Sequence, residues 1–296
     1  MEHHKEVRRT PPLVFQATRW LQSRQVRGAY RLESFARTCG WLDVVVRYRL
    51  GSRAAIDVPL SRRPYALRDI LDYERSALSL VTAQLKGIRR PTVLYDCGAD
   101  VGVVSARLVQ ACPQIQRAVA FEPNRESFET LVNNMALLDA EARAECAAVS
   151  DFSGRGTLVH PPHSSHDHAA YLVPTPTGDV EVTTIDAQAT PPEFGVVLKI
   201  DVEGGEEAVL RGAKRTLERA PFFIVSFEAH RTQTERTGVE PIDVLRRLLD
   251  ARPCDVQVVR SCVSEIPESP KPVRLDVPFF RQFTGANVYN IVASSR

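Results

Sequence analysis

The chain has 296 residues, 44% of them hydrophobic and 25% charged, with a formal net charge of +2. This is the balance of an ordinary globular protein with ample length for a core, and it gives no electrostatic reason to expect nucleic acid or an anionic membrane as partner. No window approaches the roughly 18 uninterrupted apolar residues of a spanning helix.

The first six residues, Met1 to Glu6, lead into no apolar segment of the kind that directs secretion. The six cysteines, Cys39, Cys97, Cys112, Cys146, Cys254 and Cys262, show no C-x-x-C or other zinc-like spacing. Both features fit reduced thiols and a cytoplasmic location, and no metal site is expected.

Residues 1–90 have their own texture. Leu13–Leu21 and Tyr30–Cys39 read as short helices, Trp41–Leu50 as a strand, and Arg68–Leu85 as an amphipathic helix. Together they predict a mainly helical cap. It either packs on a sheet edge or serves as a substrate lid or a dimer surface, so a homodimer stays open.

Residues 91–296 read as the main domain, and from about 93 to 230 strand and helix patterns alternate. The strands are Thr92–Asp96, Ala118–Phe121, Ala144–Ser150, Val196–Asp201 and Phe222–Phe227, short apolar runs suited to burial on both faces. Val101, Val104, Ser105 and Leu108 repeat at helical spacing up to Pro113. Phe128, Leu131, Val132 and Met135 form a second stripe, with Asn124 as N-cap. Val209, Ala213 and Leu217 line a third helix that stops before Pro221. Such alternation predicts an α/β protein with a parallel sheet and right-handed crossovers. A helix at Ile242–Asp250 and strands at Asp255–Val259 and Asn287–Ala293 follow, the last a terminal antiparallel pair. Between them Ser261–Ala286 reads as a loop or lid. Four of the seven histidines fall in 160–168, in a stretch read as a solvated or substrate-facing loop.

Ligands of open α/β sheets sit at the carboxyl ends of the strands, where strand order reverses. The first strand ends in Asp96-Cys97-Gly98-Ala99-Asp100-Val101-Gly102. A dinucleotide fingerprint would place glycines at 100 and 103, where Asp100 and Val103 stand instead. The spacing therefore opposes NAD and suits a ligand without phosphates whose charged end is an amino acid, such as S-adenosylmethionine. Asp96, Gly98, Ala99, Asp100, Gly102 and Asp201 are its candidate contacts. Glu122, 24 positions after Gly98, is the candidate for the ribose diol. Ser150 and Asp151 either approach the adenine or form an ordinary turn. Asp201 and Glu203 border the cleft at the fourth strand end, and Lys199 within that strand is unusual. His230, ending the fifth strand, is the first candidate for a general base, with Asp201 or Glu203 as competitor; a capping role is the other reading of His230.

Five blocks in one order resemble the FkbM family of S-adenosylmethionine-dependent methyltransferases. The family strings run close to D-V-G-A-N-x-G, F-E-P-x, A-V-S-D, T-T-L-D and K-I-D-V-E-G-x-E. Here they are Asp96–Gly102, Phe121–Asn124, Ala148–Asp151, Thr183–Asp186 and Lys199–Glu206. Asp100 replaces the usual Asn, and Gly205 the usual Ala. The resemblance implies a Rossmann-like methyltransferase fold with a seven-stranded, mostly parallel sheet. It also implies methyl transfer from S-adenosylmethionine, commonly to oxygen on small metabolites or sugars. The expected partner is thus a small hydroxylated substrate, with no nucleic acid and no membrane. Action on nitrogen or on a macromolecule, or a non-catalytic partner that kept the fold, are the alternatives.

Overall fold

The computed structural model describes residues 7–24, 26–61, 74–160, 170–261, 272–283 and 287–295. Three expected features lie wholly or partly outside them: the histidine-rich stretch beyond His160, the start of the helix expected at Arg68, and much of the 261–286 connection.

In chain order the N-terminal region holds β1 (Val7–Arg8), α1 (Leu13–Ser23), α2 (Ala29–Thr38), β2 (Val45–Arg49), β3 (Ala55–Pro59) and α3 (Arg75–Leu85). The main sheet follows with β4 (Thr92–Cys97), α4 (Val103–Ala111), β5 (Ile115–Phe121), α5 (Arg125–Met135) and β6 (Glu141–Glu145). Next come β7 (Ala148–Val149), β8 (Gly154–Val159), β9 (Tyr171–Pro174) and β10 (Val180–Thr183). The chain returns through β11 (Gly195–Ile200), α6 (Glu206–Gly212), α7 (Lys214–Arg219), β12 (Phe223–His230), α8 (Arg231–Thr237) and α9 (Pro241–Ala251). It closes with β13 (Cys254–Arg260), α10 (Phe279–Gln282) and β14 (Val288–Ser295).

Seven strands form the main sheet in the order β13-β14-β12-β11-β4-β5-β6. Pairings among β12, β11, β4, β5 and β6 are parallel, and β14 runs antiparallel to both neighbours. This is the expected Rossmann-like architecture with its terminal antiparallel strand. All six residues of β4 and of β11 are buried, because helices cover both faces. Alternate side chains divide between two cores. Tyr95, Leu198 and Phe227 join Val209 and Leu245 on one face. Leu94 and Val197 join Val104, Leu131 and Val81 on the other. Strand order reverses between β4 and β11, and the crevice above that reversal is where a ligand fits.

The described part of the N-terminal region is mainly helical, as expected, through α1, α2 and α3, and it adds a short three-stranded sheet of β1, β2 and β3. Val46, Ile56 and Val58 turn inward, and Arg47 pairs with Asp57 at 2.7 Å across the hairpin. Asn134 on α5 bonds both backbone groups of Asp57, at 2.7 and 2.9 Å. With Leu78, Val81 and Leu85 of α3, β3 shares the core of the main sheet, so buried packing runs across residue 90. One expectation is corrected: the strand expected at Ala144–Ser150 is two strands. The edge strand β6 ends at Glu145, and β7 pairs with β10 in a second sheet ordered β7-β10-β8-β9. An edge strand has a partner on one side only, so the chain can leave it. Ala148, Val180 and Val182 then bury one another in a small core of their own.

Candidate active site

A cleft of about 800 Å³ opens at the carboxyl ends of β4, β5, β11 and β12, within the usual range for a small-molecule site. Its floor is the β4–α4 loop. Gly98 has φ +74°, and a Cβ there would overlap the carbonyl oxygen of Asp201. The loop is thus pressed against the end of β11, which only glycine allows. Gly98 N and Ala99 N both donate to Phe121 O at 3.0 Å. Asp100 takes a left-handed conformation (φ +49°) and its N–H donates to Glu122 Oε2 at 2.8 Å. Val103 and Val104, the first residues of α4, line the same wall.

Glu122 is buried, and its Oε1 accepts from Asn124 N at 2.8 Å. Asn124 caps α5 as expected, accepting from Ser127 N at 3.1 Å. The carboxylate is therefore held rigidly at the cleft wall. Ser150 and Asp151 reach the cleft from the second sheet rather than from a main-sheet strand end. Ser150 N donates to Thr183 O at 2.9 Å, and Asp151 accepts from Arg211 at 2.9 Å.

Two of the nominated loop residues lie beneath the cleft. Asp96 is fully buried and accepts from Ser105 Oγ at 2.7 Å. Gly102 caps α4 with φ +86°, and a Cβ there would come within 2.8 Å of Leu131 Cδ1. The first is a foundation and the second lets α4 and α5 approach. The register explains the lysine inside β11: Lys199 lies directly opposite Asp96, with Nζ 3.7 Å from Asp96 Oδ1. Nζ also donates to Asp201 Oδ2 at 3.1 Å and to Gly98 O at 3.2 Å. This buried ammonium binds both strand ends together.

Across the cleft from the glycine loop stands a group of acids. Asp201, Glu203 and Glu228 line the cleft, joined by Glu74 from the N-terminal region. Glu203 has φ +59°, and its Oε2 accepts from Gln233 Nε2 at 2.8 Å while its carbonyl accepts from Arg236. A left-handed non-glycine residue held by two partners is the kind of strain found at functional sites. Burial, then the charge of Asp201, pushes the Glu203 carboxyl up to about 7. Burial likewise raises Glu74 to about 7, against the pull of Lys199. Glu228 is driven well above the usual carboxyl range by burial and by Asp201, Glu74 and Glu203. Glu74 was not legible in the sequence, since no motif surrounds it; Glu228 was passed over beside His230.

His230 lines the cleft as the N-cap of α8, a helix that sequence patterning missed. Its Nδ1 accepts from Thr232 N at 3.1 Å. With that lone pair engaged, the neutral ring carries its proton on Nε2. Burial and Arg236 lower its pKa and so favour the neutral ring. His230 thus presents a donor to the cleft while the cap holds. Among the described residues no group of three or more His, Cys, Asp or Glu side chains is arranged to hold a metal.

The family model described as Methyltransferase FkbM domain matches residues 96–255. Hexuronic acid methyltransferase AglP of Haloferax volcanii is 26% identical over 208 residues, covering 68% of this chain and 78% of that protein. Among solved structures, methyltransferase FkbM from Methylobacillus flagellatus KT is 17% identical with a TM-score of 0.44. That alignment covers 95% of this chain but 58% of that one. The plantazolicin methyltransferase BpumL, solved in complex with SAH, is 12% identical with a TM-score of 0.36, covering 76% of this chain and 86% of that one.

Proposed function

The chain belongs to the FkbM methyltransferase family and is an S-adenosylmethionine-dependent methyltransferase; from that premise we propose that it methylates a hydroxyl group on a sugar or a small sugar-like metabolite. The observation that carries this is the division of one cleft into two chemically distinct halves. One half is the glycine loop with the fixed carboxylate of Glu122, and the other is the set of raised carboxyls at Glu203, Glu228 and Glu74.

The first half fits the cofactor. Gly98 lets the loop turn tightly against the end of β11, and the start of α4, where Val103 and Val104 line the cleft, directs backbone N–H groups toward a carboxylate. Glu122, with both carboxylate oxygens at the cleft wall, fits acceptance from the ribose hydroxyls, and Ser150 and Asp151 line the same cleft, which supports a role beside the adenine base. S-adenosylmethionine supplies an activated sulfonium methyl there. The protein's own contribution is to hold the acceptor oxygen in line, which accounts for most of the acceleration. As the new C–O bond forms and the S–C bond breaks, the hydroxyl proton passes to a carboxylate. Glu203 fits that role, since a group titrating near 7 is partly ionised at neutral pH and still basic enough to take the proton. Asp201 Oδ2 is committed to Lys199, and His230 offers its Nε2–H to orient the acceptor.

A sugar acceptor is supported by the hexuronic acid named for the Haloferax relative and by the density of carboxyls, which pair readily with vicinal hydroxyls. The test is calorimetric titration with S-adenosylhomocysteine, followed by methyl transfer from labelled S-adenosylmethionine to a panel of uronic acids, neutral sugars and amines. Label on a sugar oxygen is the expected result. Transfer only to amines would overturn the hydroxyl assignment.

A further inference from the structure

The whole-chain charge of +2 conceals a strong asymmetry. Between Val7 and Trp41 stand seven arginines and one acid, a local charge of +6, so the rest of the chain is net acidic. The one acid is turned inward. Glu33 is buried and accepts from Gln22 at 2.7 Å and from Arg37 at 2.9 Å. The outward face of this segment therefore carries cations alone.

The same segment carries exposed apolar surface. Of the eleven large hydrophobic residues exposed among the described residues, eight lie between Val7 and Trp41. Leu13, Trp20, Tyr30, Phe35 and Trp41 are all at least half exposed. Leu13, Ala17, Trp20 and Arg24 recur at helical spacing along one exposed stripe of α1. Arg24 lies over the Trp20 ring at 4.7 Å, and Phe35 meets Trp41 edge-on at 5.7 Å. A small core of Phe15, Ala36, Leu42, Val46 and Leu60 holds the two helices beneath. These aromatics are displayed on a packed base, not left over from an unformed one.

We propose that the α1–α2 face is a docking surface for an anionic lipid bilayer. Aromatic and leucine side chains seated among arginines are the composition of interfacial helices, which bury apolar side chains at the headgroup boundary while cations meet lipid phosphates. The occupant follows from the charge. A second copy meeting this face in a two-fold contact would set arginines against the same arginines. A nucleic acid would take the cations and leave Leu13, Trp20 and Phe35 in water. A bilayer satisfies both components. No helix among the described residues is long and apolar enough to cross a membrane, so the attachment is peripheral. This inference is independent of the cleft and of the acceptor.

Trp20 and Trp41 are the only tryptophans in the chain, so intrinsic fluorescence reports on this face alone. The experiment mixes the full chain with vesicles of phosphatidylcholine, with and without phosphatidylglycerol, and reads co-sedimentation and tryptophan emission. Binding and a blue shift with the anionic vesicles only, reversed by high salt, is the expected result. Arg24→Glu and Arg27→Glu should each weaken partitioning by about fivefold or more. Phe35→Ser should weaken it with S-adenosylhomocysteine affinity unchanged, which shows that the variant is folded. No binding, equal binding to both vesicles, or a blue shift from self-association without lipid would each overturn the proposal.

Discussion

Asp100 donates its backbone N–H to Glu122 Oε2 at 2.8 Å, so the loop after β4 and the end of β5 form one rigid unit. Glu122→Ala should therefore cost cofactor binding twice, through the lost ribose acceptor and through a loosened loop. Hydrogen bonds to a charged group contribute about 1.5–3 kcal/mol, which corresponds to roughly 10–100-fold in Kd. Calorimetry with S-adenosylhomocysteine measures this, and an unchanged Kd would remove Glu122 from the site.

The two positive-φ glycines of the loop should separate by function. Gly98→Ala places a methyl on the Asp201 carbonyl oxygen in a conformation alanine resists. It should abolish cofactor binding and lower Tm. Gly102→Ala meets only the end of the Leu131 side chain at 2.8 Å and carries the left-handed strain of about 1 kcal/mol or more. It should lower Tm while leaving Kd for the cofactor within a small factor. Equal loss of binding in both variants would mean that Gly102 also meets the ligand.

Glu203→Gln removes the proposed base and keeps the shape and the Gln233 contact. Turnover should fall by about 10²–10⁴-fold with cofactor affinity retained. The pH profile of kcat should rise with an apparent midpoint near 7, where the burial of Glu203 sets its carboxyl. For His230 the cap predicts a different pattern. His230→Asn preserves an N-cap acceptor, whereas His230→Ala loses it at a cost of about 1 kcal/mol. If turnover collapses in both His230 variants while Glu203→Gln leaves it unchanged, His230 itself takes the proton and the carboxyl assignment fails.

Lys199→Met should be severe. Its ammonium sits between Asp96 and Asp201, and the Asp96 side chain is fully buried. Removing one partner of a buried ionic group costs about 3–5 kcal/mol, because the remaining charge is stranded. Chemical denaturation should show that loss, and unchanged stability would assign Lys199 a packing role only.

The acid-rich cleft also sets the sign of the pH dependence of stability. Glu74, Glu203 and Glu206 are raised by burial to about 7 and Glu228 further, whereas in the unfolded chain such groups titrate near 4.3. Between those values the folded state holds more protons, so stability should fall as pH rises from about 5 through 7. His230, lowered by burial and Arg236, contributes with the opposite sign below its unfolded value, but it is one half-exposed group against four carboxyls. Glu206→Gln keeps the contact with Gly204 N and should flatten part of the slope. A Tm that climbs steadily from pH 5 to 7 would contradict these raised carboxyls.

The sequence by itself determined the parallel sheet and the loop that anchors the cleft. Buried strands such as Thr92–Cys97 and Gly195–Ile200 are runs of apolar residues, and the glycine at 98 stands at a turn that other residues resist. These are local signals, carried by periodicity and spacing within a few residues. Asn124 as a cap and Ile242–Asp250 as a helix were legible for the same reason. What only the tertiary structure decided depends on contacts between distant segments. Lys199 reaches Gly98 across 101 positions, and the register of β11 on β4 explains a lysine that looked misplaced. Glu74 enters the cleft from outside every motif, and the departure of β7 into a second sheet hides inside one apolar run. His230 caps α8 through its ring nitrogen, a bond that only the placement of that helix reveals. The cationic aromatic face was invisible to a whole-chain charge, because net charge sums over the surface while docking depends on where the charges stand. Packing fixes those positions, and it does so through crossovers and burial that no local pattern records.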